Sequence, residues 1–307
     1  MKIVIMGAGG TGGYYGAHLA QAGNDVTFIA RGAHLAAMRQ DGLRLHGSRG
    51  TIHIDPTQAT DQPADISGPV DVVLFCVKLY DTESVAELIR PLIGPDSMVI
   101  SVQNGVDGPE RIAKVLGAGH VLGGAAYMSA RIDQPGVVSY TSAMSKLVFG
   151  ELDGTRSERA QHFQAVCNQA GFTTELSDDI TQTLWTKFAL LAAHASLTSL
   201  TRQPLGYVYG DPDMRPVARA AIEEIAAIAK AKQIGLPDDI VERTLALADT
   251  LPATMTTSMH HDLNAGKPME NASLSGLIVR LGRELGIPTP VHQVAFAALK
   301  PFQDGTD

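Results

Sequence analysis

The chain has 307 residues, 45% of them hydrophobic, and a formal net charge of −8. This length and composition suffice for two domains with separate cores. The negative charge and the absence of a dense basic run argue against a nucleic acid or an anionic membrane as partner. No apolar stretch reaches the length of a membrane span, and Met1 leads into a strand-like segment rather than a signal peptide. Its two cysteines, Cys76 in a predicted strand and Cys167 in a predicted helix, suit a soluble, cytoplasmic protein without disulfides.

A glycine motif follows the first predicted strand. Residues 2–6 have the β-branched, apolar character of a strand buried on both faces, and Gly-x-Gly-x-x-Gly follows at 7–12. A helix over 12–21 and a strand over 25–30 complete a βαβ unit, the context that this motif requires. An ordinary glycine-rich turn is the alternative, but this context favours a dinucleotide site, with pyrophosphate at the helix N-terminus. The cofactor-binding residues are predicted to be Gly7, Gly9, Gly10, Thr11 and Gly12.

The end of the second strand bears on the choice of dinucleotide. NAD enzymes usually place an acidic residue there, about 20 residues beyond the glycines, to hold the ribose hydroxyls. This chain has Ala30-Arg31-Gly32, and Asp25 lies at the opposite end of the strand. The planar, permanently charged guanidinium of Arg31 suits a 2′-phosphate, so NADP is favoured. The alternative is a solvated surface arginine.

The first half of the chain continues to alternate strands and helices. Buried strands are predicted over 71–77 and 98–103, each followed by a helix, over 84–93 and 109–116. Short segments at 120–128, 136–141 and 146–150 are expected to extend the sheet as antiparallel strands. A helix over 157–169 and a strand over 172–175 close this half.

The pattern changes to continuous helix after residue 178. Helices are predicted over 181–200, 213–233, 238–249 and 271–285, and the last seven residues resemble a frayed tail. The fold class is therefore α/β: a Rossmann-type domain over 1–178 that binds the dinucleotide, followed by an all-α domain over 179–307 that carries substrate and catalysis.

Polar residues stand at the carboxyl ends of the predicted strands, where open parallel sheets bind ligands. Lys78 follows one strand and Asn104 follows the next, as Arg31 follows an earlier one. Each alone is equally well explained as a helix cap or a solvated loop residue. Their shared position favours a role in the cofactor crevice.

Lys187 lies in an otherwise uncharged segment, since no other charge occurs between Ile180 and Arg202. Helical spacing places it on one face with Leu191, His194, Ala195 and Thr198. Such a lysine either extends to the surface or lines a cleft with a lowered pKa, where it can protonate a carbonyl oxygen during reduction.

Glu270 opens the helix predicted from residue 271. It either complements that helix dipole or orients Lys187 or a substrate hydroxyl, and the residues alone do not separate these alternatives. His260-His261 lacks a third ligand at suitable spacing, so no metal is expected.

These positions together resemble the ketopantoate reductase (2-dehydropantoate 2-reductase) family over nearly the whole chain. The resemblance is carried by GAGGTG at 7–12, Arg31, Val77-Lys78, Gln103-Asn104-Gly105, Leu184-Trp185-x-Lys187, Ser258-Met259-x-x-Asp262 and Gly286-Ile287-Pro288-Thr289-Pro290. It implies an NADPH-dependent reductase of pantothenate biosynthesis, with a small 2-oxo acid bound between a Rossmann domain and a helical domain, and a homodimer as the expected assembly. It further implies Lys187 as proton donor, Glu270 as assisting carboxylate, Lys78 and Asn104 in the cleft, and Ser258 at the substrate.

The chain departs from the family around the substrate. Family members usually carry asparagines one and two turns beyond the lysine, and here these positions are Leu191 and Ala195. His194, on the same face, is a candidate replacement. The resemblance makes ketopantoate the expected substrate, and the altered positions place a branched or aromatic 2-oxo acid close behind. Two other functions stay open: a dehydrogenase of another hydroxy or amino acid, and an NADPH sensor without catalysis.

Overall fold

The computed structural model describes residues 1–141 and 145–306. The chain forms two compact units, Met1–Thr183 and Leu184–Asp307, called here the N-terminal and the C-terminal unit. The predicted fold class is confirmed: a mainly parallel sheet with helices occupies the N-terminal unit, and helices alone make up the described part of the C-terminal unit. Among the described residues, no helix combines the length and the apolar character needed to cross a membrane.

The N-terminal unit alternates strands and helices from its first residues. Its elements are β1 (Lys2–Met6), α1 (Gly10–Gln21), β2 (Asp25–Ile29), α2 (Gly32–Asp41), β3 (Leu43–Gly47), β4 (Gly50–Ile54), β5 (Ala59–Thr60), β6 (Val72–Phe75), α3 (Thr82–Ile89), β7 (Met98–Ser101), α4 (Gly108–Leu116), β8 (Val121–Tyr127), β9 (Ala130–Gln134), β10 (Val137–Tyr140), β11 (Lys146–Glu151), α5 (Glu158–Gln169) and β12 (Thr173–Leu176).

Eight of these strands form the main sheet, in the order β12-β11-β8-β7-β6-β1-β2-β5. Successive residues of β1 enter different cores: Ile3 and Ile5 join the core beneath α1, whereas Val4 and Met6 join the core that includes residues of α3 and α4. Burial on both faces explains why β1 is apolar throughout. The connection from β2 to β6 carries the chain to the other side of β1, so the strand order reverses there.

A second, four-stranded sheet, in the order β4-β3-β10-β9, packs against α1. The sequence analysis was wrong on this point, because residues 136–141 contribute β10 to this sheet rather than to the main one. The segment 120–128 also differs from the prediction, since β8 pairs parallel with β7 and only β11 pairs antiparallel with β8. Pairing of β3 with β10 joins residues about 90 positions apart, which local pattern does not encode.

The C-terminal unit is built from helices. They are α6 (Ile180–Thr201, which begins in the N-terminal unit), α7 (Leu205–Gly210), α8 (Met214–Ala231), α9 (Ile240–Thr250), α10 (Ser258–Asn264), α11 (Ser275–Leu285) and α12 (Pro290–Leu299). Helix α8 packs against α7, α9, α11 and α12. The helix predicted from residue 271 begins only at Ser275, so Glu270 lies in the preceding loop rather than at a helix start.

The tail does not behave as the frayed segment that was predicted. The N–H of Met269 donates to the carbonyl of Gln303 at 2.8 Å, and the N–H of Thr306 donates to the carbonyl of Gly266 at 3.0 Å. These bonds dock residues 303–306 against the loop that precedes Glu270. Asp307 lies outside the described residues.

Candidate functional site

The carboxyl ends of four parallel strands meet at one edge of the main sheet. Met6 stands opposite Ile29 in β2 and Phe75 in β6, and Phe75 stands opposite Ser101 in β7. The segments that follow these strands are therefore neighbours, and they carry the glycine turn, Arg31, Lys78 and Asn104. The crevice at the point where strand order reverses, beside β1, is where open α/β sheets bind ligands.

The glycine turn is packed by protein at most positions. A Cβ atom on Gly10 or Gly12 would lie less than 3.0 Å from a backbone carbonyl oxygen, of Ala130 and of Gly7 respectively. At Gly9, the N-cap of α1, nothing within 4 Å would meet a Cβ atom. The turn thus needs glycine for packing at positions 10 and 12, while Gly9 is open on the side where backbone would approach a pyrophosphate.

His34, on α2, braces this turn. The N–H of Gly136 donates to Nδ1 at 3.1 Å, so Nε2 carries the hydrogen and donates to the carbonyl of Ala8 at 2.9 Å. Burial lowers the pKa of His34, which favours this neutral form. One neutral ring therefore links α2, the glycine turn and the β9–β10 turn of the second sheet.

Gln103 joins the loops that carry Lys78 and Asn104. Its Nε2 donates to the carbonyl of Val77 at 3.2 Å and to Thr82 Oγ1 at 2.9 Å, and its Oε1 accepts from Ser101 Oγ at 3.0 Å. Lys78 and Asn104 are half-buried neighbours of these bonded residues. The amide therefore fixes the loops after β6 and β7 relative to each other.

Arg31 is exposed and forms the N-cap of α2, directly after β2. Asp25 lies at the other end of that strand, where it accepts a hydrogen bond from Gln58. The carboxyl end of β2 thus presents a guanidinium and no carboxylate. This arrangement offers a positive charge to an anionic group near the crevice.

Lys187 and Glu270 are brought together within the C-terminal unit. Lys187 is half-buried on α6, and burial of its ammonium lowers the pKa to about 8, while the nearby Glu270 carboxylate works in the opposite direction. Glu270 is itself only 6% exposed. A lysine whose pKa is lowered by burial, next to a buried carboxylate, is an arrangement that active sites contain.

The loop that carries Glu270 is held from both sides. The carbonyl of Glu270 accepts hydrogen bonds from the N–H groups of Ser273 and Leu274, each at 3.0 Å. The preceding residue, Met269, is hydrogen-bonded to Gln303 of the docked tail. The Glu270 backbone is therefore fixed ahead of α11 by turn bonds rather than by a place in that helix.

The remaining candidates of the C-terminal unit lie on α6 and α10. Leu191 is half-buried, Ala195 is buried, and Ser258 is exposed at the first position of α10. His194 is buried, and its Nδ1 lies 2.7 Å from the phenol oxygen of Tyr209 on α7. The ring of His260 lies 2.9 Å from the carbonyl of Thr198, and that of His261 lies 2.9 Å from Thr256 Oγ1. His260 and His261 thus contact neighbouring polar groups of their own unit.

The sequence analysis quoted Gln103 only as part of the Gln103-Asn104-Gly105 motif and gave it no role of its own, and it did not single out His34 or Tyr209. Gln103 had a signal, because it directly precedes Asn104 at a strand end. His34 and Tyr209 had none, since their partners Gly136 and His194 are identified only by tertiary contact.

Comparison with known proteins covers both units. The sequence model of the family described as ketopantoate reductase PanE/ApbA matches residues 3–154, and that of its C-terminal domain matches residues 179–303. The chain is 33% identical to a 2-dehydropantoate 2-reductase of Archaeoglobus fulgidus, over 99% of this chain and 98% of the relative.

Solved structures agree with these matches. The PanE/ApbA family ketopantoate reductase of Ralstonia eutropha JMP134 superposes with a TM-score of 0.91 at 34% identity, covering 99% of this chain and 98% of the other. A D-mandelate dehydrogenase in complex with NADH and anilino(oxo)acetate superposes with a TM-score of 0.90 at 21% identity, covering 99% and 98%, and shares the fold.

Proposed function

This chain belongs to the ketopantoate reductase family of oxidoreductases, and from that premise we propose that it reduces the carbonyl of a 2-oxo acid with NADPH. Lys187 donates the proton in this proposal. The observation that carries it is the pairing of a desolvated Lys187, with a pKa of about 8, and a buried Glu270 within one compact unit. In this proposal, residues 1–178 bind the dinucleotide, and residues 179–307 bind the substrate and carry the catalytic residues.

The residues at the sheet edge fit a nicotinamide dinucleotide. Gly9 leaves the backbone open to a pyrophosphate at the N-terminus of α1, and Arg31 offers its guanidinium to a 2′-phosphate. Lys78 and Asn104 complete the proposed binding set from the loops that Gln103 joins. When bound, NADPH supplies the hydride.

Lys187 supplies the proton that the reduction requires. As negative charge develops on the carbonyl oxygen, the protonated amine transfers a proton to it and becomes neutral, which burial already favours. Glu270 keeps enough Lys187 protonated near neutral pH for this step. A lysine in water would be a weaker acid, because its pKa lies near 10.4.

The side chains beyond Lys187 support an apolar substrate. In the proposed site, Leu191 and Ala195 contact the alkyl or aryl part, while Asn104, His194 and Ser258 contact polar atoms. Ketopantoate or a branched or aromatic 2-oxo acid would fit this description. Leu191 and Ala195 cannot form the hydrogen bonds that asparagines at these positions would offer to a polar substrate group. This favours larger apolar 2-oxo acids over small polar ones.

The test is NADPH oxidation, followed by absorbance, with ketopantoate beside branched and aromatic 2-oxo acids. We expect Lys187→Ala to lower kcat by about 100-fold or more, as for loss of a general acid, with little change in NADPH affinity. Lys232→Ala, at an exposed lysine of the same unit, serves as the control. Equal turnover by Lys187→Ala and wild type would refute the role of Lys187.

A further inference from the structure

Asn271, the residue after Glu270, has a buried amide group that is only half paired. Its side chain is 0% exposed, and its Nδ2 donates to the carbonyl of Phe296 on α12 at 3.1 Å. No described residue lies within hydrogen-bonding distance of its Oδ1. Buried polar atoms are nearly always paired, and an apolar side chain of the same shape would avoid the cost of the unpaired oxygen. The stability of the unit therefore does not explain an asparagine at this position.

The carbonyl that accepts this bond has a second partner. The N–H of Lys300, the C-cap of α12, donates to the same Phe296 oxygen. Loss of the Asn271 donor would consequently leave the Phe296 carbonyl paired. What the bond from Asn271 adds is a fixed separation between the residue after Glu270 and the end of this helix.

Helix α12 is a well-anchored support for that bond. Its first turn is capped by Glu224 of α8, whose carboxylate oxygens accept from the N–H groups of Val291 and His292 at 2.7 and 3.0 Å. Glu224 is only 7% exposed, so these charge-assisted bonds lie inside the unit. The position of the Phe296 carbonyl is therefore set by α8 as well as by its own helix.

A second attachment holds the other side of Glu270. Besides the bond of Met269 to the docked tail, the tail approaches the loop closely at Gly305, where a Cβ atom would lie 2.7 Å from the carbonyl oxygen of Gly266. Gly305 also has a φ of +87°, which other residues rarely adopt. Glu270 therefore lies between two residues that are each bonded to the segment 296–306.

From these observations we infer that Asn271 is a positioning residue for the reduction: together with the docked tail, it holds the Glu270 carboxylate beside Lys187. The carboxylate stabilises the protonated lysine only at close range, because the interaction between two charges weakens as they separate. Asn271 thus acts through Glu270 rather than on the substrate. The inference rests on the proposed function, in which the Lys187 ammonium donates the proton.

Asn271→Leu removes the donor and the unpaired oxygen and keeps the branching of the side chain. We expect its Tm to stay within a few degrees of wild type, because the Phe296 carbonyl keeps its other partner. The alkaline limb of kcat/KM should move to lower pH by about 0.5–1 unit, the change calculated when two charges about 4 Å apart separate by a further 1–2 Å at an effective dielectric constant of about 20. This is a loss of about three- to tenfold above pH 9 and little loss near pH 6.

A purely structural role predicts the opposite result, a lower Tm with the alkaline limb still near pH 8. Asn264→Leu, the same change at an exposed asparagine of α10, is the control and should leave both the Tm and the limb as in wild type.

The pKa of Lys187 can also be followed without turnover, from the pH titration of its ¹³Cε resonance, which Lys187→Ala removes from the spectrum. Asn271→Leu should lower this pKa by the same amount as it moves the limb. Gly305→Ala, which displaces the tail from the loop, should lower it as well. Gly23→Ala, at a glycine with a φ of +86° and nothing within 4 Å of a Cβ atom, should not.

The outcomes separate the inference from the proposed function. An unchanged pKa of Lys187 in folded Asn271→Leu would overturn the inference, and if that variant failed to fold, an unchanged pKa in Gly305→Ala would overturn it. A wild-type Lys187 that titrates near its ordinary pKa of 10.5 would instead refute the proposed function on which the inference rests.

Discussion

Replacing Glu270 with glutamine should move the pH dependence of reduction. The carboxylate opposes the effect of burial on Lys187, whose pKa is about 8 rather than its ordinary 10.5. An opposite charge at close range typically raises the pKa of a lysine by about 1–3 units, so Glu270→Gln should lower that of Lys187 by as much. Glutamine keeps the size of the side chain and removes only the charge.

The sign follows from the proposed role of Lys187 as an acid. In that role, activity requires the protonated form of Lys187 and is lost as pH rises through its pKa. At pH 8 about half of wild-type Lys187 is protonated, and in the variant roughly a tenth to a thousandth would be. The deficit should narrow as the pH is lowered toward 6. Because kcat/KM reports groups of the free enzyme, it is the quantity to follow from pH 6 to 10.

Glu284→Gln, at an exposed glutamate of α11 that is 59% accessible, should leave the profile unchanged. A uniform loss of activity in Glu270→Gln, with its alkaline limb still near pH 8, would refute this reasoning. Glu270 would then act on the substrate rather than on the protonation of Lys187.

Three further predictions concern the cofactor end of the chain. Arg31→Gln should reduce the preference for NADPH over NADH by about tenfold or more in kcat/KM, while Arg39→Ala on the same helix should not. Gly9→Ala should melt like wild type yet raise the NADPH Kd, whereas Gly12→Ala should unfold at lower temperature because its Cβ meets the Gly7 carbonyl. His34→Leu leaves the Ala8 carbonyl and the Gly136 N–H without their hydrogen-bond partner. It should lower the free energy of unfolding by about 1–3 kcal/mol in denaturant titrations. An unchanged cofactor preference in Arg31→Gln, an unchanged NADPH Kd in Gly9→Ala, or an unchanged stability in Gly12→Ala or His34→Leu would contradict the role given to that residue.

The strands of the main sheet could be predicted because burial on both faces leaves a continuous apolar run. The second sheet was missed, although β3 alternates buried Leu43 and Leu45 with exposed polar residues, the period expected of a half-buried strand. Its pairing with β10 is non-local and leaves no trace in nearby residues. Short α10 was missed for a different reason, since seven residues give too little periodicity.

Part of the candidate site could likewise be predicted from local sequence, and part depends on tertiary contacts. Residues at strand ends and in the glycine turn could be located from the sequence, because sheet geometry brings them to one edge. Glu270 was assigned to the start of a helix, but turn bonds and the docked tail hold it five residues ahead of α11. Tyr209 could not be foreseen, as no local pattern links a residue of α7 to His194.

The charge-free segment around Lys187 supports the proposed role of this lysine as an acid. In water its ammonium would hold the proton too tightly to release it efficiently near neutral pH. Phe188 and Ala189 next to it on α6 are buried, and this apolar setting lowers the pKa toward the pH at which the enzyme works. Full desolvation without a counter-charge would leave the amine neutral and without a proton to give. Burial on the apolar helix α6 lowers the pKa of Lys187, and the buried Glu270 carboxylate limits that decrease. The pKa therefore lies between that of a lysine in water and that of a desolvated lysine without a counter-charge.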